Sequence, residues 1–172
     1  MASIKDRWGS LALALVTALV MAVLPASAGT PRDILSAYRL TAWGSTEGLS
    51  SGTVFAIAQD PAGYLWLGTD MGLVRFDGVR FSKWTSFGAT QLPHVSIRTL
   101  CFASDGSMWV GFSSLQGASR VQGGQVRNFS AQDGLPATDI TGIVEDAAAR
   151  IWAGGSAGLF SYSGTRWEAW QP

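Results

Sequence analysis

The chain has 172 residues, 47% hydrophobic and 14% charged, with 12 basic and 12 acidic side chains, one His and one Cys. Balanced charge leaves no electrostatic footprint for nucleic acid. A lone Cys and a lone His support neither a disulfide framework nor a Cys/His metal centre, so no metal or cofactor is expected. The 21 Gly and 8 Trp beside so little charge point to an all-β chain with many tight turns.

Residues 1–28 have the layout of a secretory signal peptide. Lys5 and Arg7 form a positive start, Leu11 to Leu24 is an uncharged apolar run, Pro25 breaks it, and Ala26-Ser27-Ala28 is a small-residue cleavage pattern. The competing reading is an uncleaved membrane anchor. The run of about 14 residues is ~21 Å long as a helix, short of a hydrocarbon core of ~30 Å, which favours cleavage. No cysteine stands at the cleavage point, so lipidation is not expected. The expected product is periplasmic or otherwise extracytoplasmic. It would meet a membrane only through an uncleaved signal or through parts outside this sequence.

Residues 29–42 form an N-terminal segment. Leu35 to Trp43 reads as a strand that, in a closed ring, would complete the last unit. The rest of the chain is a repeat. Trp66, Trp109 and Trp152 recur at a spacing of 43 residues, each followed two residues later by Gly68, Gly111 or Gly154. Val54, Ile97 and Ile140 coincide at the same lag, as do Ile57, Leu100 and Ile143, and Leu49, Leu92 and Leu135. The units fall at 43–83, 84–128 and 129–170, the middle one carrying an insertion near Ser114 to Ser119. A period in the low forties is the length of a four-stranded propeller blade. The expected fold is therefore all-β: a β-propeller fragment of three four-stranded blades after a signal peptide.

Each unit reads as four strands. The first is Val54 to Gln59, Ile97 to Phe102 and Ile140 to Glu145, apolar on both faces as for a strand sandwiched between neighbouring sheets. Its third residue is small in every copy (Ala56, Thr99, Gly142), which suits crowding near an axis. Turns follow at Asp60, at Asp105-Gly106 and at Asp146. The second strand carries the marker Trp and ends at the marker Gly. The third is Leu73 to Phe76, Ser119 to Gln122 and Leu159 to Tyr162. Asp77-Gly78, Gly123-Gly124 and Ser163-Gly164 then read as two-residue hairpin turns. The fourth strand is Arg80 to Trp84, Gln125 to Phe129 and Thr165 to Trp170. It mixes polar and aromatic residues, as for an outer, half-solvated strand.

The stretches Glu47-Gly48-Leu49-Ser50-Ser51, Ala56 to Asp60, Gly63-Tyr64-Leu65-Trp66-Leu67-Gly68-Thr69 and Gly72 to Gly78 resemble the two-component regulator propeller repeat. The third copy keeps Asp133-Gly134-Leu135-Pro136, Trp152, Gly154, Gly158-Leu159 and Ser163-Gly164. The second is the most degenerate, keeping Leu92-Pro93, Asp105-Gly106, Trp109 and Gly111. Tyr38 to Trp43 also resembles the start of such sensors after the signal peptide. The resemblance implies a periplasmic sensor whose blades connect, through a membrane span, to a cytoplasmic histidine kinase or diguanylate cyclase. Some members sense carbohydrates. No output domain is present, so the resemblance implies a truncated, non-catalytic N-terminal sensing part. Three blades fall short of the about four to eight that close a ring, leaving two faces uncovered. The chain is therefore expected to be unstable alone, to aggregate, or to pair those faces with further blades or another copy of itself.

Among single residues, Trp66, Trp109 and Trp152 recur at one structural position and read as core rather than as a sugar platform. Cys101, level with Ala58 and Val144, reads as a small buried hydrophobe. Asp60, Asp105, Asp133, Asp139 and Asp146 read as turn residues rather than calcium ligands. His94 has no nucleophile or carboxylate constellation beside it, which argues against catalysis. Ligand contacts are expected where the copies differ on an otherwise fixed frame: Phe55, Arg98 and Thr141 on the first strands, and the loops 44–53, 86–96 (with His94) and 131–139. The leading functional expectation is an extracytoplasmic module sensing an unidentified ligand, with carbohydrate as one class. The alternatives are a secreted propeller enzyme of the lyase or glycosidase kind, or a structural or adhesion propeller.

Overall fold

The computed structural model describes residues 41–49, 52–84, 91–93 and 96–171. The signal peptide expected over residues 1–28, the strand expected over 35–43 as far as residue 40, and His94 lie outside them, and Thr41 to Trp43 is not strand. Short apolar runs separated by Asp, Gly and Ser turns fold into twelve strands among the described residues. Sheet 1 is β1 (Val54–Gln59), β2 (Leu65–Thr69), β3 (Gly72–Phe76) and β4 (Phe81–Trp84). Sheet 2 is β5 (Ile97–Phe102), β6 (Met108–Phe112), β7 (Ala118–Gln122) and β8 (Gln125–Phe129). Sheet 3 is β9 (Ile140–Glu145), β10 (Ile151–Gly155), β11 (Gly158–Tyr162) and β12 (Trp167–Ala169). Every sheet is an antiparallel meander in chain order. The fold is thus the expected array of three four-stranded units. No helix among the described residues is long and apolar enough to cross a membrane.

The first strands match the expected limits residue for residue, and the outer strands differ by a few residues at their ends. Among the expected two-residue turns, only Gly123-Gly124 is one: Gln122 pairs with Gln125, and both glycines take the positive φ that such a turn needs. Phe76 pairs with Phe81 and Tyr162 with Trp167, so those connections hold four residues. Asp77 is the cause in sheet 1, its Oδ1 accepting from the backbone N–H of Val79 and Arg80 at 2.9 and 2.8 Å. In sheet 3 the Ser163 hydroxyl donates to the Arg166 carbonyl at 3.0 Å. The insertion is the β6–β7 connection, which turns back through Ser114, Leu115 and Gly117, all at positive φ.

The core lies between the sheets. β5 packs on β1 and β2, and β9 packs on β5 and β6. Each sheet therefore offers a trailing face to the leading face of the next. Trp66 and Leu73 on sheet 1 meet Ile97, Leu100, Met108, Val110 and Val121 of sheet 2. Trp109, Ala118 and Phe129 on sheet 2 meet Ile140, Ile143, Ile151, Tyr162 and Trp167 of sheet 3. Here four rings pack together: Trp109 lies 5.4, 5.1 and 5.7 Å from the ring centroids of Phe129, Tyr162 and Trp167. Polar clasps add to the second interface. Ser104 donates from its backbone N–H and hydroxyl to the Glu145 carboxylate at 2.8 and 2.7 Å, and Arg127 donates to the Tyr162 hydroxyl at 3.2 Å.

The sandwiched first strand is found only in the middle sheet. In β1, residues 55, 57 and 59 are exposed, and in β9 Thr141 and Val144 are exposed. The sequence pattern is alike in all three; what differs is whether a neighbouring sheet covers it.

Candidate functional site

The three first strands share one irregularity. Val54 pairs with Thr69 and Ala56 with Gly68, which leaves Phe55 unpaired in a β-bulge. Ile97 and Thr99 pair with Phe112 and Gly111, leaving Arg98. Ile140 and Gly142 pair with Gly155 and Gly154, leaving Thr141. A bulge frees one residue from the ladder and re-aims it, and bulges concentrate next to functional sites. The positions at which the copies differ in residue type are therefore the positions that the backbone presents.

Because β5 lies against β1, neighbouring bulges meet. The Arg98 guanidinium sits over the Phe55 ring, 4.3 Å from its centroid. Among the described residues Arg98 forms no ion pair or hydrogen bond, so the donors at the edge of this stacked guanidinium are unspent. Thr141 is exposed, its hydroxyl donating to the Gly154 carbonyl at 3.4 Å. The structure thus brings Phe55 and Arg98 into contact and sets Thr141 at the corresponding bulge of the adjoining strand.

The marker residues serve packing. Trp66 and Trp109 are buried, and Trp152 is partly so. A Cβ on Gly68 would lie 2.6 Å from Ile97 Cγ2, and one on Gly111 would lie 2.7 Å from Ile140 Cγ2. Glycine is what lets the next sheet's first strand approach. Cys101 packs against the second interface, and burial raises its thiol pKa, as expected of a structural cysteine rather than a nucleophile.

The tryptophan anchor was not legible as such. Asp60 does more than make a turn: its Oδ1 accepts from the backbone N–H of Ala62 and Tyr64 at 3.0 and 2.9 Å, and its Oδ2 accepts the Trp66 indole N–H at 2.8 Å. Asp146 repeats this with Ala148, Arg150 and Trp152, the indole bond again 2.8 Å. That indole bond, followed by the Arg150 backbone N–H, holds the Asp146 carboxyl below the usual aspartate range. The signal was an Asp six residues before the Trp. In the middle copy this position is Ala103, and Asp105 stands two residues further on. There Asp105 caps Ser107 and pairs with Arg120 at 2.6 Å, while the buried Trp109 Nε1 has no acceptor among the described residues.

A groove of about 500 Å³ lies between sheets 2 and 3 and shares no lining residue with the bulge row. Its cations Arg120 and Arg150 already pair with Asp105 and Asp146.

The family described as two component regulator propeller matches residues 48–71 and 91–114. Each match runs from the loop before a first strand to the β2–β3 or β6–β7 connection. The second copy, the most degenerate by its motifs, is among those matched. No curated protein matches the chain at a significant level. Among solved structures, the chain is similar to the extracellular domain of a protein assigned to a hybrid two component system of B. thetaiotaomicron. That likeness has 24% identity and a TM-score of 0.64, over 78% of this chain and 19% of that one. A second such domain from the same organism gives 20% identity and a TM-score of 0.52, over 72% and 19%. Virginiamycin B lyase from Staphylococcus aureus gives 14% identity and a TM-score of 0.55, over 70% and 41%. The chain spans about a fifth of the two-component domains and about two fifths of the lyase, and these likenesses establish the propeller fold.

Proposed function

Because the chain carries two-component regulator propeller repeats, we propose that it is a non-catalytic, extracytoplasmic ligand-sensing part of a two-component-type receptor. The observation that carries this reading is the row of three bulges, with the Arg98 guanidinium over the Phe55 ring and its donors unspent. A guanidinium fixed by stacking loses little freedom when it binds, and its planar edge suits hydroxyl pairs and carboxylates. A carbohydrate, and an acidic one above all, offers both. The export signal read in residues 1–28 and the extracellular placement of the two similar two-component domains support an extracytoplasmic location.

The test is calorimetric titration of the chain with neutral and acidic oligosaccharides, alongside an assay for product release. Saturable binding without turnover is expected. Arg98→Ala should weaken it roughly 10- to 100-fold, as for loss of a charged hydrogen-bond donor. Release of shortened or unsaturated sugars would overturn the reading in favour of an enzyme. Binding untouched by both Arg98→Ala and Phe55→Ala would move the site off the bulge row.

A further inference from the structure

The trailing face of sheet 3 has the same surface that sheets 1 and 2 bury. In each sheet an aromatic pair stands on this face: Trp66 with Trp84, Trp109 with Phe129, and Trp152 with Trp170, at centroid distances of 5.1, 5.4 and 5.5 Å. The first two pairs lie under the next sheet. Around the third, Val144 is 59% exposed, Trp170 54% and Leu159 42%. The glycine in the centre shows the same vacancy. A Cβ on Gly68 or Gly111 would run into the isoleucine that opens the next first strand, whereas one on Gly154 would meet only Leu159 Cδ1, at 3.9 Å. The chain itself shows, twice, what fills such a face: a first strand with an aliphatic β-branched residue at its first position and a second aliphatic residue three further on.

One strand with that chemistry is left over. β1 carries Val54 and Ile57 at the positions of Ile97 and Leu100, and of Ile140 and Ile143. Ile57 is 65% exposed, while Leu100 and Ile143 are 8% and 4%. The middle of the same leading face is already covered, with Leu67 and Val74 buried, so β1 is the part on offer. β5 and β9 are likewise the strands whose backbones lie nearest the preceding sheet when sheets 2 and 3 dock, with side chains of β6, β7 and β10 to β12 packing beside them. We propose that the occupant is a second copy of this chain: β1 of one copy seats on β9 and β10 of the other, and two copies close head to tail into a six-sheet ring. Six lies within the about four to eight units that close a propeller, and two equal head-to-tail contacts give a two-fold symmetric dimer. The arrangement would set Thr141 of each copy beside Phe55 of the other, making one continuous row of six bulges. The dimer stands without the ligand reading, and a dimer that binds no sugar would leave it intact.

The experiment is sedimentation velocity on the full chain over a concentration series, with near-ultraviolet circular dichroism as a check on folding. Wild type is expected to dimerise reversibly. Gly154→Val adds a side chain into open space in the single copy, so it should keep the native spectrum and be monomeric. Ile57→Asp, altered at an exposed site on the other face, should behave likewise. Mixing the two variants should restore a dimer, since one supplies an intact trailing face and the other an intact β1. A wild-type monomer up to millimolar concentration would overturn the proposal. So would a dimer that survives Gly154→Val, which would point to association through another surface such as the apolar run Leu11 to Leu24. A ladder of ever larger species would overturn the closed ring.

Discussion

Trp109 in sheet 2 and Trp152 in sheet 3 stand at one position of one repeat, and their surroundings differ in two respects. Trp109 is sealed between sheets in a four-ring cluster and leaves its indole N–H without an acceptor among the described residues. Trp152 is only half-buried, yet its N–H is bonded to Asp146. The pair separates two ways of fixing a large side chain. In the middle of the stack, burial against a neighbour is enough to hold the ring even with a polar atom unsatisfied. At the end of the stack, where no described neighbour covers the face, a charged hydrogen bond fixes the ring instead. The repeated frame supplies the position, the neighbour decides how far the ring is buried, and the residue six before the Trp decides whether its N–H is bonded: Trp66 is both buried and held by Asp60.

The largest effect follows from burial. Trp109→Ala removes a ring that touches both sheets and should cost about 3–5 kcal/mol in denaturant unfolding. Trp152→Ala removes a half-exposed ring and one hydrogen bond, and should cost about 1–2 kcal/mol. Equal costs would show that the two positions are energetically alike and that the end face is covered in solution. The glycines come next. Gly111→Ala drives a methyl into Thr99 Cγ2 and Ile140 Cγ2, at 2.5 and 2.7 Å, and should cost about 1–3 kcal/mol. Gly154→Ala, measured at high dilution, should lie within about 0.5 kcal/mol of wild type, because its Cβ meets only Leu159 Cδ1 at an ordinary contact distance of 3.9 Å.

The sequence made the array legible because identical residues at a fixed lag mark one position of a repeated structural unit. Trp66, Trp109 and Trp152 placed the second strands, and the first strands followed from the aliphatic residues upstream. Burial was not legible in the same way. Ile57, Leu100 and Ile143 are interchangeable as letters, and only the stacking order makes the first of them exposed. The length of the β3–β4 and β11–β12 turns escaped notice because Asp77 and Ser163 bond their own backbone and stretch the turn by two residues. Of the candidate site, the residue choice was readable, since Phe55, Arg98 and Thr141 differ where the frame is constant. The reason for their prominence, a bulge in each first strand, was not, because a bulge leaves the period unchanged. The Asp–Trp anchor was hidden by Asp105, which looks like the missing partner of Asp60 and Asp146 but lies two residues late.

That last point can be turned into a repair. The backbone turn is the same in all three copies: the N–H groups of Gly63, Gly106 and Ala149 bond the carbonyls of Asp60, Ala103 and Asp146 at 2.9 Å each. Ala103→Asp should therefore place a carboxylate within reach of Trp109 Nε1. A gain of about 1 kcal/mol is expected, seen as a rise of roughly 2–4 °C in Tm. A lowered Tm would mean that desolvating the carboxylate outweighs the bond it makes. The smallest effect is one of pH. Asp146 has a folded-state pKa below its ordinary value of 3.8. Its contribution is fully present above that value and is lost as pH falls from there through the lower folded value. In wild type the Trp152 indole N–H resonance should shift and lose exchange protection only on acidification well below the ordinary aspartate value, as the folded-state carboxylate protonates, while the Trp109 resonance, with no carboxylate to titrate, stays still. Asp146→Asn should abolish the Trp152 response, and Ala103→Asp should confer one on Trp109. A Trp109 that titrates in the unaltered chain would show that its N–H has a carboxylate partner after all.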